Sequence, residues 1–167
     1  YVIAEIGANH NGDIVLAKKM IKIAKECGAD AVKFQHFNVS NLCTADNLDE
    51  LDSGAVKLEN VDDFSTPELG LNNVREQIIA FSFSEDEMID VRNYAKSIDI
   101  DFGCTTEDVE GVHFLQKLEV DFIKLSSADV NNLSLIKAAS LSKYPILLST
   151  GMADLAEIDA AFRIFKE

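Results

Sequence analysis

An α/β fold built on a parallel sheet is what this sequence predicts, and three observations carry that reading. Short apolar runs alternate with amphipathic stretches five times along the chain. The amphipathic stretches repeat their apolar residues at helical spacing, and no hairpin signal joins one apolar run to the next. Strands separated by helices run parallel, because each helix carries the chain back to the end of the sheet where the previous strand began.

The elements follow in order. Tyr1 to Ile6 reads as the first strand. Asp13 to Glu26 places Ile14, Ala17, Ile21 and Ala24 on one helical face, and Gly28 stops that helix. Ala31 to Phe34 is the second strand, and a polar stretch from about Asn38 to Phe83 then breaks the rhythm. Ser84 and Glu87 form a capping box that leads into Met88, Val91 and Ala95. Ile100 to Cys104 is the third strand, followed by a helix carrying Val112, Leu115 and Leu118. Asp121 to Leu125 is the fourth, and Asn131 or Asn132 caps a helix containing Leu135, Ile136 and Ala139. Tyr144 to Leu148 is the fifth strand, and Asp154 with Glu157 opens the last helix.

The 167 residues suit one domain, and 47% hydrophobic against 26% charged residues supports a packed interior. No apolar run approaches the roughly 20 residues that a membrane-spanning helix needs. A net charge of −14 argues against nucleic acid and anionic membrane surfaces as partners. An anionic ligand would therefore need basic residues concentrated in a pocket. Cys27, Cys43 and Cys104 fit no metal-ligand spacing and read as reduced thiols of a cytoplasmic protein. The chain opens on a strand without a signal peptide and stops within a helix, so a piece of a longer protein is expected.

Two architectures satisfy five βα units: a doubly wound open sheet, or part of a barrel of about 250 residues. The pattern alone leaves both open. Either one gathers function at the carboxyl ends of the strands. Those ends carry Glu5, Asn9, His10 and Asn11 after the first strand, and Lys33, Gln35 and His36 on the second. Thr105 and Thr106 follow the third, Lys124, Ser126, Ser127 and Asp129 belong to the fourth, and Ser149 and Thr150 follow the fifth. Lys33 and Lys124 stand out because each is flanked by apolar residues, Val32 and Phe34 or Ile123 and Leu125. A lysine in a buried strand is costly unless an anion pairs with it, so these two suggest a phosphate or carboxylate pocket. The alternative is a structural Lys–Glu pair with Glu5. His10 could be a ligand, a proton donor or a loop-fixing group; His113 reads as a surface residue, and Cys104 lacks the neighbours of a nucleophile.

Four segments carry a family resemblance. Ala4 to Gly12 (AEIGANHNG), Gly28 to Gln35 (GADAVKFQ), Phe122 to Asp129 (FIKLSSAD) and Leu148 to Met152 (LSTGM) recur in order across the chain and closely resemble the sialic acid synthases. The resemblance implies a (β/α)8 TIM barrel, of which this chain holds roughly the first five βα units as residues 1–167. It implies condensation of phosphoenolpyruvate with an N-acetylated aminosugar, giving a nonulosonic acid and releasing phosphate by C–O cleavage. Lys33, Thr105, Lys124, Ser127 and Ser149 fall on phosphoenolpyruvate positions, Glu5 beside the reacting aldehyde, and Gln35 and Asp129 on the sugar side. A divalent metal, manganese or magnesium, is implied with ligands outside this segment, as are a C-terminal domain and a homodimer. The Asn38–Phe83 stretch is then expected to be a lid over the sugar.

Two positions depart from the family pattern: Thr106 stands where a proline usually follows the strand-three threonine, and Ala128 replaces a glycine. Both bear on substrate identity rather than reaction class. The competing functions are a Schiff-base aldolase using Lys124 or Lys33, and a non-catalytic sugar or phosphate binder.

Overall fold

The computed structural model describes residues 1–38 and 74–166. Its strands are β1 (Ile3–Gly7), β2 (Ala31–Gln35), β3 (Asp101–Thr105), β4 (Phe122–Leu125) and β5 (Ile146–Leu148). Its helices are α1 (Ile14–Glu26), α2 (Val74–Phe81), α3 (Glu85–Ser97), α4 (Val109–Leu118), α5 (Leu133–Leu141) and α6 (Leu155–Lys166), with a 3₁₀ turn at Ser127–Asp129.

Strand order separates the two architectures that the sequence leaves open. The strands pair parallel in chain order, β1-β2-β3-β4-β5. A doubly wound sheet reverses its order once to place helices on both faces; this sheet never reverses. Crossovers of one hand to successive neighbours put every helix on the same side. Accordingly α1 packs on β1, β2 and α3, while α4 packs on α5 and α5 on α6. This is the sheet of a (β/α)8 barrel, and the chain supplies five of its βα units.

Alternation along each strand gives the sheet two unlike faces. Toward the helices point Val32 and Phe34 of β2, Phe102 and Cys104 of β3, and Ile123 and Leu125 of β4, all buried. They pack with Ala17, Ile21, Met88, Val91, Val112, Leu115, Leu135 and Ile136 into one core. The opposite face is read from the strand register as two rows: Glu5, Lys33, Gly103 and Phe122, then Gln35, Thr105, Lys124 and Leu147. The lower row ends in a steric fit. A Cβ on Gly103 would lie 2.0 Å from the Phe122 ring, so the missing side chain is what lets that ring lie flat as the floor of the interior.

The helix signals hold. Asp13 caps α1, and Gly28 at φ 87° ends its C-terminal turn. Both halves of the Ser84–Glu87 capping box form, and Asn132 is the cap of α5. Two expectations need correction. The polar stretch contains a helix, α2, which at eight residues is too short for its periodicity to register. It is seated by close approach: the Ala80 carbonyl stands where a Cβ on Gly12 would be, 2.2 Å away. β5 begins at Ile146 rather than Tyr144, because Pro145 has no N–H for the ladder and offers only its carbonyl, to Ile123. Residues 39–73, with Cys43 and most of the expected lid, lie outside the described residues. Among the described residues, no helix is long and apolar enough to cross a membrane.

Gly103→Ala in the full-length protein is expected to cost about 1–3 kcal/mol by overpacking against Phe122. Combining it with Phe122→Leu should give a favourable coupling in a double-mutant cycle measured by urea denaturation. Additive losses would show that the ring is not what Gly103 accommodates.

Candidate active site

The upper end of the polar face is where the strand-end residues meet. Lys33 is 7% exposed although it carries a charge, and three oxygens account for it. Its Nζ lies 2.9 Å from Glu5 Oε1, and donates to Thr105 Oγ1 at 2.6 Å and to the Phe34 carbonyl at 3.3 Å. Glu5 is its register neighbour on β1, and Thr105 stands one row higher on β3. The structural Lys–Glu pair is therefore real for Lys33. Its partners differ in freedom, for the Glu5 side chain is 53% exposed whereas Thr105 is buried.

Lys124 is different. It pairs in register with Thr105, and among the described residues its Nζ donates to the Leu125 carbonyl at 2.7 Å. Burial lowers its pKa, and the nearby positive charge of Lys33 lowers it further, against the opposing pull of Glu5 and Asp129. The two lysines sense each other, and among the described residues only Lys33 is closely paired with a carboxylate. Beyond Lys124 the chain turns through Ser127–Asp129, with Ser126 capping the 3₁₀ turn. Burial raises the Asp129 carboxyl, while a hydrogen bond with Asn132 and the charge of Lys124 oppose it. Ser149 follows β5, its N–H on the Leu125 carbonyl at 3.2 Å. Ser149 and Lys124 line one cleft, and Glu5 and Gln35 line another.

The loop after β1 is tightly built. His10 is 1% exposed and stacks on Phe83 with ring centroids 4.0 Å apart. Its Nδ1 accepts the Gly12 N–H at 3.1 Å, which requires the neutral ring. Burial holds its pKa below the ordinary value, against a backbone hydrogen bond with Gly7. Of the roles that the sequence leaves open for His10, the geometry supports fixing the loop. His113 is exposed, as expected. Cys104 is buried on the helix side, and burial pushes its thiol up to about 12, the wrong direction for a nucleophile.

One residue of this neighbourhood, Glu107, is not singled out by sequence reasoning, whereas His36 is already among the strand-end residues. Glu107 is half-buried, and burial raises its carboxyl first, with Asp129 and Asp108 adding like-charge repulsion. Its position two residues beyond Thr105, at a strand's carboxyl end, is the signal that could have found it. His36 follows Gln35; its ring packs on Phe114 at 4.6 Å, and burial lowers its pKa. Thr106 uses its N–H on the Lys124 carbonyl at 3.3 Å, a bond that a proline there could not make.

Comparison with known proteins matches the sequence and the fold of this chain. The sequence profile of the NeuB family matches residues 20–167. The N,N'-diacetyllegionaminic acid synthase of Legionella pneumophila is 34% identical over 166 residues, 99% of this chain and 44% of that protein. The solved structure of an N-acetylneuraminic acid synthetase from Leptospira borgpetersenii, in complex with citrate, is 30% identical with a TM-score of 0.74, over 99% of this chain and 50% of that one. A truncated 3-deoxy-D-arabino-heptulosonate 7-phosphate synthase of Thermotoga maritima, 10% identical with a TM-score of 0.62, covers 99% of this chain and 45% of that one, and shares the fold alone. The chain spans about half or less of the length of each.

The neutral His10 has a pH consequence. Because its folded pKa lies below the ordinary 6.5, the unfolded chain takes up the proton first as pH falls. The stability it supports is fully present above that value and is lost as pH drops toward the folded pKa. Urea midpoints measured between pH 7.5 and 5 should decline, and His10→Asn should flatten part of the decline, His36 supplying the rest. A slope untouched by the substitution would show that the loop accepts a charged ring.

Proposed function

The chain belongs to the NeuB family, and from that premise we propose that its full-length protein condenses phosphoenolpyruvate with an N-acetylated aminosugar to a nonulosonic acid. The observation that carries the reading is the inward pair Lys33 and Lys124 around Thr105, in a chain of net charge −14. Such a pair concentrates positive potential where a multiply charged anion can use it. Lys124, which among the described residues forms no ion pair with a carboxylate, Lys33, and the hydroxyls of Thr105, Ser127 and Ser149 would hold the phosphoenolpyruvate. Glu5, Gln35 and Asp129 would face the sugar.

The chemistry that follows is balanced within this set. The enol carbon bonds to the aldehyde carbon, water adds at the cation left behind, and the tetrahedral intermediate expels phosphate by breaking its C–O bond. Fixed ammonium and hydroxyl groups stabilise the moving negative charge without reorganising. An anion that takes over contacts of Lys33 leaves the exposed Glu5 carboxylate available for proton transfer at the aldehyde. A divalent metal would polarise that aldehyde. Among the described residues, no three His, Cys, Asp or Glu side chains come together to hold one, so its ligands are proposed to lie elsewhere in the full-length protein. Homodimerisation and a cytoplasmic location belong to the same proposal.

One observation favours a second reading. The lowered pKa of Lys124 is also what an imine-forming amine requires. Borohydride with a keto acid substrate separates the two: the condensation forms no imine and leaves no trapped adduct.

Lys124→Ala should weaken use of phosphoenolpyruvate by about 2–5 kcal/mol, the scale of losing a charge-assisted contact in a desolvated site, with a smaller effect on the sugar. In the unsubstituted protein the KM for phosphoenolpyruvate should rise with alkaline pH, starting below the ordinary lysine range as Lys124 loses its proton. An unchanged response would make Lys124 structural only.

The bond broken can be read directly. Phosphoenolpyruvate labelled with heavy oxygen at the bridging position, incubated with aminosugar, metal and full-length protein, should deliver its label to inorganic phosphate. Label retained in the sugar acid would mean attack at phosphorus, and would overturn the proposed reaction.

A further inference from the structure

Gly7 marks a point on which three side-chain atoms converge. A Cβ placed there would lie 3.0 Å from Glu5 Oε1, 3.7 Å from Gln35 Oε1 and 3.8 Å from Asn9 Nδ2. The backbone is left-handed at this point, φ 55°, and the absent side chain leaves room for the polar atoms. They border a cleft of about 410 Å³, also lined by Ala8, Asn11 and Phe81.

The Asn9 amide is held in place. Its Nδ2 donates one hydrogen to the Ile6 carbonyl at 2.9 Å, and the Asn9 backbone N–H bonds the same oxygen at 3.1 Å. The loop around it is braced by Asn11 N–H on the Ala8 carbonyl at 3.0 Å, Asp13 N–H on the His10 carbonyl at 2.8 Å, and the buried His10 ring. Among the described residues the second hydrogen of this side-chain amide has no acceptor, and its orientation is set before any ligand arrives. The Lys33 ammonium beside it is already engaged by Glu5. One neutral donor beside two acceptors, one of them a carboxylate, repels an anion and fits a hydroxyl, which accepts from the donor and gives its own hydrogen to an acceptor.

From this convergence we infer that Asn9 is a specificity-determining residue, its amide donating to a hydroxyl of the aminosugar in the cradle over Gly7. The inference rests on the aminosugar reading proposed above. Glu5 is placed there beside the aldehyde carbon. The first hydroxyl along the chain from that carbon is at C3, since C2 carries the acetamido group, and this is the hydroxyl the cradle takes. Aminosugars that differ only farther along the chain share it, so Asn9 reads a common element of the substrate class.

The test compares each sugar with its own 3-deoxy analogue. Full-length protein is assayed by phosphate release with phosphoenolpyruvate and either N-acetylmannosamine or 2,4-diacetamido-2,4,6-trideoxymannose. The sugar that turns over is then set against its 3-deoxy form. The unsubstituted protein should prefer the 3-hydroxy sugar at least tenfold in kcat/KM. Asn9→Ala, and the isosteric Asn9→Asp, should shrink that preference to under threefold while the KM for phosphoenolpyruvate moves less than twofold. The preference is a ratio within one preparation and does not depend on how much of a variant folds. A preference that survives both substitutions, or none in the unsubstituted protein, overturns the inference. Should neither sugar be condensed, the functional reading fails separately for these two sugars, and calorimetric titration of N-acetylmannosamine still reads the cradle. Binding at least tenfold weaker to Asn9→Ala than to the unsubstituted protein supports the contact, and equal affinity overturns it.

Discussion

The inner half of this structure is arranged around one buried ammonium. Val32 and Phe34 must face the helices, and strand alternation then turns Lys33 inward, where it is 7% exposed. A charge so shielded costs several kcal/mol unless its hydrogen bonds are met. The register supplies what it needs: Glu5 across from it on β1, Thr105 one row up on β3, and its own strand's Phe34 carbonyl. Gly7 serves the same end, since a Cβ there would stand 3.0 Å from the Glu5 carboxylate oxygen that reaches Lys33. The two fixed partners and the half-exposed one make a site that is stable at rest and can still exchange a contact.

The sheet separates stability from chemistry by face. On the helix side, Phe34 stacks on Phe102 at 5.1 Å within a continuous apolar core, where the Cys104 thiol is suppressed by burial. On the inner side, Phe122 closes the lower row and the polar groups stand above it. Substitutions on the two faces therefore report on different properties, even between adjacent residues such as Ile123 and Lys124.

The loop after β1 joins the faces. His10 is inserted beside Phe83 and Phe34 of the core, yet its neighbours Asn9 and Asn11 line the cleft over Glu5. A neutral, stacked imidazole anchors the loop from below, and the left-handed residues Gly7, Asn11 and Gly12 give the backbone its tight path. Rigidity in the core is thereby passed to groups that face the cleft, which is how a small polar constellation keeps its geometry.

Much of this was legible in the sequence, because it depends on local periods and caps. The five strands, the Ser84–Glu87 box, the Gly28 stop and the inward bias of Lys33 and Lys124 all follow from spacing and neighbours. The ordered motifs carried the family resemblance as well. What spacing could not carry is anything set by contacts between distant segments. Strand order, which separates a barrel sheet from a doubly wound one, depends on which edge each returning strand joins. The short α2 exists through its seat on Gly12, 68 residues from Ala80 in the chain. Glu5 could be assigned to Lys33 rather than Lys124 only once the register was known. The sequence by itself determined which residues turn inward, since alternation and apolar flanks fix that locally; the tertiary structure alone decided which of them meet, since register and strand order are properties of the assembled sheet.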